Sequence, residues 1–509
     1  MSLLCRMANR LWLMSSRPEA ERYRNALQAP RKAQEQVLFE ILRRNKTSAF
    51  GQRHGYKNIL GVDDFRSAVS ISTYEDFTGW IEQMKNGVDG LLVHEKVNSI
   101  VPTGGSTGGT KYIPHPPSLL HAFRRGIAPW IVDLHQQYPS LKNGSAYWAI
   151  TPSVQINDYA DDTAYLGGMI ARIVACTLAV PPPVVPKHTG DAFWTTTLRY
   201  LLARNDLAFI SVWHPSFLCI LLDRMEEQWD ELIPLLPEPR VCTLRHEDPR
   251  NVSAIWPKLR VVSCWGDAHA ARACEMLRSR LGGVVIQPKG LIATEAFISL
   301  PYANKHPLAI RSHFFEFLDK QGRSHLASEL DLHEVYRVVV TTSGGLYRYQ
   351  LQDDITVDGF VDATPSIRFI GKVDNTCDLV GEKLTEVFVT ACLARVFEKR
   401  NVCPAFSMMA PDESRLGYIL YLEAENAAKD LANDLHQALM DNPQYAYASA
   451  MGQLAPVKLF RISADGYTLY AERLVRKGQR LGDIKAVSLR KETGWTHWFK
   501  RKSLTMSGS

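Results

Sequence analysis

Apolar positions along the chain follow two periods, and the period changes from one region to the next. Between about Pro18 and Arg44, Ala33, Val37, Leu38, Ile41 and Leu42 recur at three- and four-residue spacing, which predicts a helix with one buried stripe. "LLVHEKVNSIV" (Leu91–Val101) has the texture of a strand. "SLLHAFRRGIAPWIVDL" (Ser118–Leu134) predicts a helix with Leu120, Phe123 and Ile127 on one face. Further on, short and almost wholly apolar runs alternate with helical stripes. "LAFISVW" (Leu207–Trp213) is followed by Leu218, Leu221, Leu222, Met225 and Trp229 at helical spacing. "LRVVSCWG" (Leu259–Gly266) is followed by the helix "AHAARACEMLRSRL", and "GVVIQPKG" (Gly283–Gly290) is a third run. Apolar strands alternating with helices imply a parallel sheet covered on both faces. Function in such sheets collects beyond the C-terminal ends of the strands, here "SCWGDA" and "KGLIATEAF".

After residue 310 the texture changes. "AIRSHFFEFLD", "EVYRVVVTT" and "GLYRYQLQDDITVDGFV" predict strands of a more antiparallel region. A boundary follows at "RFIGKVDNTCDLVGEK". Beyond it, "FSMMAPDESRLGYILYLEAE" predicts two strands, "AAKDLANDLHQALMDN" a helix with Leu431, Leu435 and Leu439 on one side, and "PVKLFRIS" another strand. The expectation is a large α/β domain over 1–370 with parallel and mixed sheets covered by helices, then a small α+β domain over 375–509.

Between the strand and the helix near residue 105 runs "VPTGGSTGGTK" (Val101–Lys111). Glycines let several backbone N–H groups face one anion, hydroxyls of Ser106, Thr107 and Thr110 can donate, and Lys111 adds a point charge. Neither the Walker pattern nor G-x-G-x-x-G is met, because Thr110 precedes Lys111 and Gly104 and Gly105 are adjacent. Read alone, the run favours an anion site over the alternative of a flexible glycine loop with a solvated lysine. Thr294–Glu295, after the third apolar run, offers a carboxylate suited to magnesium beside a polyphosphate, or simply a capped helix start. Tyr347, Arg348 and Asp353 could meet adenine, phosphate and ribose, or belong to a twisted edge strand. "GEKLTE" (Gly381–Glu386) and "KGQRLGDIK" (Lys477–Lys485) are charged segments open to several uses.

Composition removes some classes. The chain has 509 residues, 46% hydrophobic and 22% charged, with 59 Lys+Arg against 53 Asp+Glu. That basic excess is too diffuse for a nucleic-acid face. Nine cysteines, none spaced C-x-x-C, support neither zinc nor a disulfide framework. "MSLLCRMANRLWLMSS" carries Arg6 and Arg10 inside its apolar stretch and is a poor signal peptide. The apolar stretches Ile173–Pro186 and Leu207–Leu222 contain proline and fall short of the ~20 residues a membrane span needs. A cytoplasmic protein without nucleic-acid or membrane partners, monomeric or weakly dimeric, is expected.

Taken in order, a Thr/Ser/Gly loop closed by lysine, T-E near 295, Y-R-x5-D near 350 and a lysine-bearing small domain resemble the adenylate-forming enzymes. Within that group the chain resembles the Gretchen Hagen family of acyl acid amido synthetases, in its bacterial branch, through "ISVWHPSFL", "VVSCWGDA", "IRSHFFEFLD", "GLYRYQLQDD", "DLVGEKLTE" and "GQRLGDIKAVSL". The resemblance implies an ATP-dependent ligase. It would activate a small carboxylic acid as an acyl-adenylate and pass the acyl group to an amino acid, with a mobile small domain. It further implies that Gly104, Gly105, Ser106, Thr107, Gly108 and Lys111 cradle the ATP phosphates. Thr294 and Glu295 would hold the α-phosphate and Mg²⁺, Gly266 and Tyr347 would lie near the adenine, and Asp353 would bind the ribose. Lys372 and Asp374 would mark a hinge over 371–374, and Lys485 would be the lysine that swings in for adenylation. Two departures stand out: Gln352 where the family commonly has glycine, leaving a choice between Asp353 and Asp354, and Lys372 where arginine is usual. A coenzyme A or carrier-protein thioester ligase shares the first half-reaction, and a non-catalytic nucleotide-binding protein shares the fold.

Overall fold

The computed structural model describes residues 3–104, 110–149, 168–181, 191–213, 215–267, 270–372, 376–377, 379–380, 382–425, 430–450, 453–479, 481 and 484–506. The chain divides into two compact units that meet in sequence between Phe369 and Ile370.

The first unit opens with α1 (Leu3–Ala26) and α2 (Pro30–Asn45). The single helix expected over Pro18–Arg44 is therefore two. Pro30 starts α2 in its first turn, where a missing N–H removes no helical bond. α3 (Glu75–Lys85) follows, then β1 (Ile100–Gly104) and β2 (Thr110–Pro114), which pair with each other. The strand expected from Leu91 is confined to Ile100 onward, because the Gly90 and Leu91 carbonyls are taken by Ala49 N–H and Phe50 N–H at 2.8 and 3.0 Å. α4 (Pro117–Gln137) comes next and buries Phe123, Ile127 and Trp130.

The parallel sheet has four strands, β3 (Ser145–Trp148), β4 (Leu207–Ser211), β5 (Val261–Cys264) and β6 (Val285–Pro288), side by side in that order. Helices α5 (Pro215–Glu227) and α6 (Ala270–Leu281) lie in the crossovers of this sheet. Every residue of β4 and β5 is buried, which is why those runs read as apolar without alternation.

A second sheet of five strands has the order β11-β10-β9-β7-β8, from β7 (Phe314–Leu318), β8 (Ser324–Leu326), β9 (Val335–Thr341), β10 (Tyr349–Val361) and β11 (Thr364–Lys372). Its pairs β7–β8, β7–β9 and β9–β10 are antiparallel. The core of the unit includes Trp130, Trp148, Phe209, Val261, Phe297, Phe315 and Tyr347.

The second unit contains the short pair β12 (Thr376–Cys377) and β13 (Leu384–Thr385), helix α7 (Glu386–Lys399), and a three-stranded sheet. That sheet is β14 (Phe406–Pro411), β15 (Gly417–Glu423) and β16 (Ala455–Arg461), with α8 (Leu431–Leu439) between the last two. α9 (Gly466–Arg476) and α10 (Trp495–Met506) follow. Leu431, Leu435 and Leu439 are buried, as their spacing predicts. The architecture is α/β with a four-stranded parallel sheet and a five-stranded sheet whose described pairs are antiparallel, and an α+β C-terminal part.

Candidate active site

Lys111 stands on β2, half-buried, with its ammonium 3.4 Å from the Tyr349 hydroxyl and 5.6 Å from the centroid of the Tyr74 ring. Tyr74 is itself fixed, since its hydroxyl accepts the Tyr112 N–H at 2.7 Å. Tyr349 opens β10 and is buried. Burial pushes its phenol pKa far up, and the carboxylates of Glu295, Asp353 and Glu75 push in the same direction. The phenol therefore stays protonated, and two residues distant in sequence from each other, Glu295 and Asp353, are close enough to act on it. Glu75 is held below the usual carboxylate range, first by the Thr73 hydroxyl and more weakly by Lys111.

Local structure explains how these groups meet. His115, just past β2, donates its Nε2–H to the Thr294 carbonyl at 3.1 Å, tying the Lys111 strand to the turn that carries Glu295. The turn is tight: Ala293 and Ala296 exchange backbone hydrogen bonds at 2.9 and 3.2 Å, leaving Thr294 and Glu295 at its tip. Glu295 is buried.

On β10 the register shifts between Gln350 and Asp354, and Gln352 takes φ +62°. This bulge separates the two aspartates chemically. Asp354 stays in the ladder and accepts from Arg337 Nε at 3.2 Å, whereas buried Asp353 acts on Tyr349. The positive φ also gives the reason for a glycine preference at this position.

Gly266 lies two residues past the end of β5, against Pro288 at the end of β6. A Cβ there would come within 2.8 Å of the Pro288 Cβ, so the strand end admits no side chain. Gly104 is the last residue of β1. Gly105, Ser106, Thr107 and Gly108 lie outside the described residues, as does Asp374. Lys372 is the last residue of β11. Lys485, in the second unit, is half-buried, and its carbonyl accepts the Tyr470 hydroxyl at 2.9 Å.

Two expected contacts are corrected. Tyr347, placed near the adenine by resemblance, is in the core: it is 0% exposed, its hydroxyl donates to the Leu92 carbonyl at 2.7 Å, and its ring stacks on Phe50 at 4.8 Å. Arg348 does not reach for phosphate. Its Nε and Nη2 each donate at 2.9 Å to buried Glu316, and its Nη1 donates to the Val69 carbonyl at 2.8 Å. "YRY" offers two tyrosines, and only the register of β10 tells which one faces Lys111.

Sequence reading also passed over Lys289. It follows β6, is 3% exposed, and sets its ammonium 4.6 Å from the centroid of the Trp213 ring at the end of β4. A lysine directly after an apolar strand was the available signal. Trp130 and Trp148 pack on each other in the core with ring centroids 5.8 Å apart, and Trp130 Nε1 donates to Gln287 Oε1 at 2.9 Å. Trp213 remains at the end of the sheet, half-buried.

The fold is that of adenylate-forming ligases. It matches the structure described as "AtGH3.15 acyl acid amido synthetase in complex with 2,4-DB" at TM-score 0.83 and 17% identity, covering 96% of each chain. It also matches a 2-hydroxyisobutyryl-CoA ligase at TM-score 0.55 and 11% identity, covering 95% of this chain and 94% of that one. The sequence is matched by the GH3 family N-terminal domain over 19–243, its central domain over 306–372 and its C-terminal domain over 387–493. The protein belongs to the GH3 family. Among its relatives, a putative indole-3-acetic acid-amido synthetase of Oryza sativa subsp. japonica is 24% identical, over 71% of this chain and 82% of the relative. A jasmonoyl-L-amino acid synthetase of Nicotiana attenuata is 21% identical, over 78% of this chain and 80% of the relative.

Proposed function

We propose that the protein is an AMP-forming ligase that activates a small carboxylic acid with ATP and joins the acyl group to the amine of an amino acid. The observation that carries this reading is the gathering of Lys111, Glu295 and Asp353 around Tyr349, in a chain matched along three segments by the GH3 family.

The chemistry follows from charge. A carboxylate resists nucleophiles, and attack of its oxygen on the α-phosphorus of ATP, with loss of pyrophosphate, gives a mixed anhydride with AMP as leaving group. Negative charge builds at the α-phosphate in that step. Lys111 and the backbone of the Gly104–Gly108 loop neutralise it, and the Thr294 hydroxyl donates to the same group. Asp353 receives the ribose hydroxyls, Gly266 gives the adenine an approach free of side chains, and Tyr349 holds Lys111 on the phosphate side. Glu295 is a hard oxygen donor that would help hold Mg²⁺, and the ion would supply charge neutralisation. The amine then attacks the acyl carbon and expels AMP. Lys485 is assigned to the adenylation step and Lys372 to a hinge over 371–374. The segments "ISVWHPSFL" and "VVSCWGDA" support membership of the family's bacterial branch, and a cytoplasmic, monomeric or weakly dimeric enzyme fits the same reading.

The test is release of AMP and pyrophosphate from ATP, Mg²⁺ and a panel of carboxylic acids, each with and without pooled amino acids. Acid-dependent release that rises with amino acids, and falls about a hundredfold or more in Lys111→Ala, is expected. A response to coenzyme A alone would assign the thioester reaction instead, and silence across the panel would sink the reading.

A further inference from the structure

Among the described residues, five of the twelve exposed large hydrophobic side chains crowd the first part of α1: Leu3, Leu4, Met7, Leu11 and Met14, each 49–71% exposed. The other seven are scattered, as on any protein surface. At about 100° per residue the five fall in one sector of the helix. The opposite side of α1 is buried through Cys5, Ala8, Asn9, Trp12, Leu13 and Ser16, so the helix is apolar on two faces and only one is covered. Arg6, Arg10 and Arg17 line one edge of the uncovered sector, and no acidic residue of α1 precedes Glu19. Arg172, on the helix Gly168–Ala175 that packs against α1, is exposed as well.

We propose that this face of α1 docks the enzyme onto an anionic phospholipid surface. The leucines and methionines enter the boundary between headgroups and acyl chains, and the arginines meet lipid phosphates and carboxylates. Charge complementarity chooses the occupant: over Leu3–Arg17 the exposed side chains of this face include arginines and no carboxylate, and Glu21, the exposed carboxylate in the same sector, lies two turns beyond Met14, so a second copy crossing the leucines and methionines meets like charge there. Attachment is peripheral, since no helix among the described residues is long and apolar enough to cross a membrane. The proposal does not depend on the ligase reading.

The test is sedimentation of the full chain with vesicles of phosphatidylcholine, with and without phosphatidylserine. Binding is expected only with phosphatidylserine and should weaken as salt rises. Met7→Glu with Leu11→Glu should lower it at least tenfold while the thermal midpoint stays unchanged, because both side chains are exposed. Arg6→Gln and Arg10→Gln should each lower it about fivefold. No sedimentation with phosphatidylserine vesicles, equal binding to both vesicles, or binding indifferent to Leu11→Glu overturns the proposal. A dimer in solution that Leu11→Glu splits would overturn it too, by assigning the face to a second copy.

Discussion

Gln352 shows how one backbone angle decides a site. A non-glycine residue at φ +62° carries strain of about 1–2 kcal/mol, and the surrounding β10 bulge holds it there. Gln352→Gly should therefore leave stability unchanged or raise it by up to about 1 kcal/mol, despite the entropy glycine brings to the unfolded chain. Gln352→Val should lower it by about 2 kcal/mol, because a branched Cβ fits the left-handed region least. Urea midpoints of the three proteins check both signs. The same bulge separates the aspartates. Asp353→Asn should raise the KM for ATP about tenfold or more, while Asp354→Asn, whose partner is Arg337, should leave it nearly unchanged. The family resemblance pointed to a ribose-binding carboxylate at 353 or 354. It could not show which tyrosine of "YRY" faces Lys111, because that depends on where β10 begins and on a register shift three residues later.

At the scale of elements, β10 is anchored from beneath by a buried ionic cluster. Glu316 on β7, 1% exposed, accepts from Arg348 Nε and Nη2, from Arg66 Nε at 2.9 Å and from the Ser324 hydroxyl at 2.8 Å. Removing the one anion leaves two guanidinium groups, buried Arg348 and half-buried Arg66, without the carboxylate between them. Glu316→Gln should cost about 3–5 kcal/mol and lower the thermal midpoint accordingly. In the fraction that stays folded, Tyr349 and Asp353 lose their fixed backbone, so pyrophosphate exchange at saturating ATP should fall as well. A midpoint within a degree of the parent would show that the cluster does not anchor β10. The parallel strands were legible because burial on both faces leaves nothing but apolar residues. α7 was not: its buried positions Val389, Cys392, Leu393 and Val396 keep helical spacing, but Val387, Phe388, Val389 and Thr390 give its first turns a strand's composition. β8 and β11 were passed over for length and for mixed polarity.

Over the whole molecule, acid sensitivity is set by histidines that no motif marks. His313 is 0% exposed, and the Phe297 N–H donates to its Nε2 at 3.1 Å, so the ring is fixed in its neutral form. Burial lowers its pKa from 6.5 to about 3, with Arg125 pressing the same way. His135, buried against the parallel sheet near Trp148, is lowered to about 4, mainly by burial and secondarily by Lys142. In both cases the unfolded chain takes up a proton near pH 6.5 and the folded chain does not until far lower. Between pH 6.5 and about 4 the unfolded state therefore binds more protons, and stability falls as pH falls. Each histidine contributes up to about 1.4 kcal/mol per pH unit in that window and nothing above it. Thermal midpoints should be flat from pH 8 to 7 and drop progressively from 6.5 to 4.5. His135→Leu removes one of these titrations without leaving a polar atom buried, so its midpoint should fall less steeply over the same range. If the slopes of parent and variant coincide, His135 takes up its proton in the folded protein as readily as in the unfolded chain, and its burial does not set the acid sensitivity.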